Sequence, residues 1–292
     1  MFRPAISILL PSYNNSCYTL VAALKAQADS IAGLTYEIIV ADDGSRDQVA
    51  VISNLRINEL QHCRYIRRRE NVGRSAIRNF LASEAKGERL LFLDSDVTIV
   101  SDSFISAYLA TDADVANGGV TVVGAAKPWC LRYVYEKHSE PFHTAERRAE
   151  YGYRNFHTAN FMAHRDVFSR CRFDESLRGY GFEDLLFGFC LETEGIRLLH
   201  IDNPVGLDID ESNVVFVRKT EESLRTLRTL RPRLGDSVRI IRIVGHIEKC
   251  RLLWTVRLFH KIFGSLLRRN LTGSKPFLPL FNIYKIGYYA SL

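Results

Sequence analysis

Four short segments of this chain carry side chains whose types and spacing could do chemistry. Asp94-Ser95-Asp96 follows the apolar run RLLFL. Two carboxylates two residues apart can hold a hard divalent ion such as Mg2+ or Mn2+, with a substrate's phosphates completing the coordination. A solvated acidic turn is the plainer account of so short a motif, but the position at the end of a strand-like run weighs against it. Asp42-Asp43-Gly44-Ser45 closes a second apolar run. Its carboxylates can accept hydrogen bonds from a nucleobase or a ribose while Gly44 permits a tight backbone, or they can cap the helix that follows. Asn71-Val72-Gly73-Arg74, with Arg78-Asn79 one helical turn on, offers forked guanidinium contacts to phosphate, or exposed arginines on a capped helix. Gly179-Tyr180-Gly181-Phe182-Glu183-Asp184 sets adjacent carboxylates at a helix start, which suits a general base beside a hydroxyl-binding group, or an ordinary acidic first turn.

Those segments need elements that converge. Residues 5–10, 36–41 and 89–94 are short apolar runs ending in polar residues, the pattern of buried parallel strands, and 18–31, 47–60 and 75–86 have helical character, the last closed by Gly87. Strand alternating with helix predicts a doubly wound α/β sheet, whose ligands sit at the carboxyl ends of its strands. Pro11-Ser12-Tyr13-Asn14, Asp42–Ser45 and Asp94–Asp96 all fall at such ends. PSYNNS has no glycine, so the fingerprints of a dinucleotide-binding domain and of a P-loop are both missing. Further on, 114–126 suggests one or two strands, 160–163 another, 182–194 a helix, 197–201 a strand, and 220–230 a helix stopping before Pro232. A long helical pattern runs over 239–269.

The 292 residues are 47% hydrophobic and 25% charged, the composition of a folded protein. Six scattered cysteines without a CxxC pair argue against a zinc ribbon or a disulfide scaffold and suit a reducing cytoplasm. The opening apolar run is short and stopped by Pro11, so no export signal is expected, and no apolar stretch reaches membrane-spanning length. Charge is lopsided. Residues 239–292 hold ten Lys/Arg and one acid, Glu248, a net +9 against the chain's +6, so the preceding residues carry −3. Arg242, His246, Lys249, Arg257, Lys261 and Arg268 recur at helical spacing, with Ile243, Ile247, Trp254, Leu258, Ile262 and Leu266 on another side. This basic amphipathic segment suits either a peripheral contact with an anionic membrane or packing against the protein's own body. Nucleic acid is not an expected partner, because no recognised module accompanies the charge.

Taken together, PSYNN, ADDGS, NVGR with IRN, LFLDSD and FDESLRGYGFEDLLFG resemble the family 2 glycosyltransferases of GT-A fold over about residues 5–220. The Glu-Asp segment is also similar to that of the β-1,4-galactosyltransferases. The resemblance implies a catalytic domain over 1–236, with a nucleotide-binding half (1–112) and an acceptor half (113–236), followed by a helical extension over 237–292. It implies that Pro11, Ser12, Tyr13, Asp42, Asp43, Asn71, Arg74, Arg78, Asp94 and Ser95 line the nucleotide site, with Asp43 towards the base and Asp94 towards the ribose. Asp96 would ligate Mg2+ or Mn2+ on the diphosphate. Asp184 would be the general base and Glu183 a sugar-binding partner, with Tyr180, Gly181, His157 and Asn160 on the acceptor side. Relatives carry a further metal-ligating histidine, but this chain has none between His200 and His246. Either Asp208 supplies an oxygen ligand in its place, or the third protein ligand is missing and the metal is held more weakly. The implied protein is a cytoplasmic, membrane-peripheral, inverting transferase using a nucleotide-sugar, UDP being the expected carrier, on a glycan or glycolipid acceptor. A scaffold that keeps the fold without turnover is the alternative.

Overall fold

Along β1 (Ile6–Ser12), Ile6, Ile8 and Leu10 enter one apolar cluster and Leu9 another, so both faces of the strand are buried. A strand with no polar face needs cover on both sides. Helix α1 (Tyr18–Ser30) supplies Val21 and Leu24 to the first cluster. The chain then forms β2 (Tyr36–Asp42), α2 (Gln48–Leu55) and β3 (Cys63–Arg67), and α3 (Arg74–Glu84) brings Ile77 and Leu81 to the second cluster. β4 (Arg89–Leu93) returns on the far side of β1. Strand order therefore reverses between β1 and β4, the place where a doubly wound sheet opens a crevice at its strand ends.

The computed structural model describes residues 4–292. Beyond β4 come β5 (Thr98–Ile99), α4 (Phe104–Leu109), β6 (Val115–Asn117) and β7 (Val120–Val123). Later elements are α6 (Ala145–Tyr151), β8 (Asn160–His164), α7 (Val167–Arg170), α8 (Glu183–Thr193), β9 (Leu198–His200) and β10 (Val205–Asp208). The main sheet runs β3-β2-β1-β4-β8-β6-β9, with the first four strands parallel and β8 antiparallel to both of its neighbours. A small sheet pairs β5, β10 and β7. The mixed doubly wound arrangement is the one the sequence pattern predicts. Strand β3 is not part of that prediction, because its CRYIR pattern is arginine-rich; charged side chains suit an edge strand, which is where it lies.

These elements make up one unit, comprising the chain up to Val123, Pro141–Arg178 and Glu183–Asp208; a second unit comprises Gly124–Glu140, Gly179–Phe182 and Ile209–Leu292. The boundary expected after residue 236 falls inside the second of these units. Helix α9 (Asn213–Leu234) buries Val217 in one cluster with Leu131 of α5 (Leu131–Ser139), Leu267 and Leu271 of α11 (Leu253–Leu271), and Phe281 and Tyr284 of α12 (Leu278–Ser291). α9 also runs through Pro232 rather than stopping before it. Pro232 costs the helix the one bond that an N–H at its position would make to Arg228 O, and the burial of Leu230 and Leu234 holds the last turn in place. The single helix expected over 239–269 is two, α10 (Arg239–Lys249) and α11. Between them Arg251 adopts φ +59°, with Arg251 N–H donating to Glu248 O and Leu252 N–H to Ile247 O, a left-handed helix stop. Among the described residues no helix is long and apolar enough to cross a membrane.

Arg148 closes the far end of the main sheet. Its buried guanidinium donates to the carbonyls of Asn117, Gly118, Ile201 and His143 and to Asn117 Oδ1, and Nη1 lies 3.0 Å from His200 Nδ1. Gly119, at φ +81°, leaves the room it needs, since a Cβ there would come within 2.7 Å of Nη2. Replacing Arg148 by Met strands at least four buried acceptors. We expect urea unfolding to show a stability loss of about 3 kcal/mol or more; a loss below about 1 kcal/mol would mean that water or a shifted side chain replaces the guanidinium.

Candidate active site

Three strand ends are stapled to one another by short polar side chains. Asn14 takes a left-handed φ of +50°, which asparagine tolerates, and its Oδ1 accepts from the backbone N–H groups of Arg46 and Asp47. Asn14 N–H donates to Ser45 Oγ at 2.7 Å. Asn15 Nδ2 reaches the other way, donating to Ser95 O at 2.7 Å. The loop after β1 is therefore tied both to the loop after β2 and to the Asp94–Asp96 turn. Asp43 accepts from Val72 N–H and Gly73 N–H at 2.9 and 3.0 Å, which draws the Asn71–Arg74 loop onto the same rim, and burial pushes its carboxyl pKa up against those two bonds. Gly44, at φ +74°, lies so close to this loop that a Cβ would come within 2.7 Å of the Glu70 carbonyl carbon. The rim encloses a cleft of about 550 Å³ lined by Tyr13, Gly44, Ser45, Arg46, Gln48, Arg67, Arg69, Glu70 and Asn71.

Below the rim lies a charged network. Arg78 is buried; its Nη2 donates to Asp94 Oδ1 at 2.6 Å, its Nη1 donates to Arg74 O, and the same nitrogen is 3.9 Å from Glu183 Oε1. Arg74, half-exposed, donates to that Glu183 oxygen at 3.2 Å. Glu183 is itself buried and opens α8. Beside it, Asp184 Oδ1 accepts from Leu185 N–H and Oδ2 lies 3.8 Å from His157 Nδ1. Burial alone would raise the Asp184 pKa, but His157, the Leu185 N–H and Arg74 hold the carboxyl below the usual aspartate range. Helix α8 is anchored from beneath by stacked rings, Phe173 on Phe187 at 4.2 Å and Phe92 on Phe161 at 4.9 Å.

The structure brings most of the sequence-predicted residues to this rim but reassigns several. Tyr13 and Asn71 line the cleft. Asp42 does not face a ligand: it is buried and accepts from Ser45 N–H and the Tyr65 hydroxyl, which shapes the turn. Ser12 is buried, with its hydroxyl on Asn15 O and its carbonyl on Asp43 N–H, so it too is a turn residue, and Pro11 before it is half-buried. Arg78 sits under the site rather than at its surface. Asn160 is not an acceptor contact; it is fully buried, bonded to the Tyr108 hydroxyl and to the carbonyls of Gly119 and Asn203. Tyr180 and Gly181 belong to the second unit, where Tyr180 N–H donates to Glu222 Oε1 and a Cβ on Gly181 would meet Ser223 Oγ at 2.7 Å.

Asp96 is exposed in the turn after β4, and Asp208 is exposed at the end of β10. β10 pairs antiparallel with β5 as Val205 to Ile99 and Gly206 to Thr98; two further steps of that register run Asp208 towards Asp96. Two exposed carboxylates so related suit a hard divalent ion that takes its other oxygens from phosphates and water. Among the described residues no three His, Cys, Asp or Glu side chains gather to hold a metal by themselves. Arg67 and Arg69 in the cleft, and the histidine group around Arg148, were not singled out from sequence. The RRRE run before Asn71 was the available signal for the arginines, whereas nothing local marks the histidines.

Residues 7–172 match the family model described as "Glycosyl transferase family 2". A Haemophilus influenzae protein named "Uncharacterized glycosyltransferase" is 35% identical over 102 residues, covering 35% of this chain and 40% of that protein. An N-acetylglucosaminyltransferase of a Rhizobium species is 34% identical over 140 residues, covering 45% of this chain and 30% of that protein. The matches therefore span less than half the length of these two relatives. Among solved structures, the mannosyltransferase PcManGT from Pyrobaculum calidifontis, in complex with GDP-Man and Mn2+, shares the fold with a TM-score of 0.59 at 14% identity, over 99% of this chain and 86% of that one.

His143 and His200, packed around Arg148, have their pKa values pushed down to about 4, mainly by burial. Both rings are neutral in the folded state at pH 7 and take up protons more readily once unfolded. Their contribution to stability is complete above the ordinary histidine value of 6.5 and is lost as pH falls from there towards 4. Urea unfolding at pH 7 and pH 5 should show His143→Phe losing part of the parent's acid sensitivity, on the order of 1 kcal/mol. An unchanged pH dependence would contradict the assignment.

Proposed function

The chain belongs to glycosyltransferase family 2, and on that premise we propose that it is an inverting transferase moving a sugar from a UDP-sugar to a hydroxyl of a glycan or lipid-linked glycan in polysaccharide assembly. The observation that carries this reading is the Arg78 network, in which the carboxylate at the end of β4 and the one that opens α8 approach a single guanidinium. Their convergence supports a reading in which donor-side and acceptor-side acids border one site. That site is drawn from the first unit alone. Several relatives are N-acetylglucosaminyltransferases, which makes N-acetylglucosamine the first sugar to try.

In this reading the cleft beside Tyr13, Gly44 and Asn71 receives the nucleobase, with Asp43 holding the loop that shapes it and Asp94 and Ser95 towards the ribose. Asp96 and Asp208 would hold Mg2+ or Mn2+ on the diphosphate, and the ion would supply Lewis-acid stabilisation of the charge that collects on the leaving group. Asp184 takes the proton of the acceptor hydroxyl. The acceptor oxygen bonds to the anomeric carbon as the bond from that carbon to the phosphate oxygen breaks, and the electron pair leaves with the nucleoside diphosphate. Attack from the face opposite the leaving group inverts the configuration. Glu183, already paired with Arg74, is better placed to orient a sugar hydroxyl than to carry a proton, and His157 steadies the base.

Nucleoside diphosphate release from UDP- and GDP-sugars, measured with Mn2+ and with a chelator, tests the reading. Asp184→Asn should lower kcat by about 100-fold or more while donor binding persists; turnover near the parent rate removes Asp184 from the role of base. Asp96→Ala should abolish transfer and weaken donor binding in the presence of Mn2+, and an unchanged rate would remove it from metal binding.

A further inference from the structure

The last helices of the chain show an apolar surface that glycosyl transfer does not use. One side of α11 is committed inward. Gly264, Leu267 and Leu271 are buried there, and Gly287 of α12 approaches His260 so closely that a Cβ would lie 2.7 Å from the ring. Arg268 Nε and the Tyr284 hydroxyl both donate to Glu221 Oε1, at 2.9 and 2.7 Å, which fixes how α11 is turned against α9 and α12. The opposite side is exposed. It carries Trp254, Leu258, Phe259, Ile262, Phe263 and Leu266, of which Trp254, Ile262 and Leu266 are 64%, 57% and 62% exposed. Helical periodicity places these six away from Gly264, Leu267 and Leu271. Large apolar side chains gathered on one helix face, unlike singly scattered ones, mark a surface that something covers.

Charge identifies the occupant. Residues 239–292 hold ten Lys/Arg and one acid, and that acid, Glu248, is paired with Arg231. Lys261 and Arg269 are exposed on α11 itself, and Arg242 and Lys249 on α10. Two copies meeting through this face would bring like charges together, which opposes self-association. A bilayer with anionic headgroups meets both requirements, since the acyl boundary takes the apolar side chains, the headgroups take the cations, and an indole suits the interface between them.

We propose that α11 lies in the plane of an anionic membrane surface, inserting Leu258, Ile262 and Leu266 below the headgroups with Trp254 at their level. This goes beyond glycosyl transfer and does not rest on it, because docking requires neither donor nor acceptor. The test is co-sedimentation of the full chain, without nucleotide, with vesicles of phosphatidylcholine alone or containing about one-third phosphatidylglycerol. The parent protein should bind the anionic vesicles at least tenfold more tightly, and increasingly weakly as salt rises. Ile262→Asp with Leu266→Asp should lower that binding at least tenfold with an unchanged melting temperature, both positions being more than half exposed. Lys261→Glu with Arg269→Glu should remove the preference for anionic lipid. Failure of the parent to bind vesicles overturns the proposal, as does equal binding by the aspartate variant. A dimer in solution that Ile262→Asp dissociates would assign the face to a second copy instead.

Discussion

Arg78 is a buried guanidinium held against carboxylates, and the organisation of the site depends on it. Leaving such a charge unpaired costs several kcal/mol, so its neighbours are constrained more tightly than apolar packing alone would constrain them. Asp94 comes from the end of a central strand and Glu183 from the start of a helix much later in the chain, yet both are drawn to it. Arg74, one turn earlier on α3, shares Glu183 from the exposed side. The Phe173–Phe187 stack beneath α8 supplies the complementary constraint, fixing the helix from the apolar side while the arginines fix its first turn.

Much of this was legible in the sequence because it follows from local rules. Buried parallel strands read as continuous apolar runs, and the polar residues that end them mark where a crevice must open. Residues 5–10 and 36–41 accordingly appear as β1 and β2, and the Asp43, Asn71 and Asp94 segments lie on one rim. The family match over residues 7–172 contains the first four of the ordered motifs, and the Glu-Asp segment lies beyond it. What a local rule could not supply was the direction of each side chain. Asp42 and Asp43 are adjacent, but strand alternation sends one into the turn beside Tyr65 and leaves the other to hold the next loop.

The remaining misses share a cause, which is tertiary burial overriding local chemistry. Asn160 has the donors and acceptors that sugar recognition uses, but it begins β8 between Tyr108 and the Gly118-Gly119 turn, where its Nδ2 donates to two backbone carbonyls and its Oδ1 accepts from the Tyr108 hydroxyl. Arg148 reads as one of two arginines on a short polar helix, and only the fold shows that it is the cation around which His143, His200 and four carbonyls are arranged. The break at Arg251 is equally nonlocal in origin: no proline or glycine marks it, and the two helices it separates bury different residues, Ile241 and Val244 in one and Leu267 and Leu271 in the other.

The state of Asp184 bears on how the proposed reaction distributes its barrier. A carboxylate held below its usual range stays ionised throughout the neutral region, which keeps it ready to accept a proton. The same stabilisation makes it a weaker base, so proton transfer contributes driving force only when the attacking oxygen has already lost much of its electron density. Early departure of the diphosphate fits such a base, because an anomeric carbon that has become strongly electron-poor acidifies the incoming hydroxyl. In the proposed reaction the heavier task would then fall on the donor side, where stabilising the departing charge would matter more than pulling on the proton. The arrangement fits that division: the buried Arg78 pairs with Asp94 and approaches Glu183, whereas the base is met by a partly exposed His157 at 3.8 Å, the Leu185 N–H and the field of Arg74.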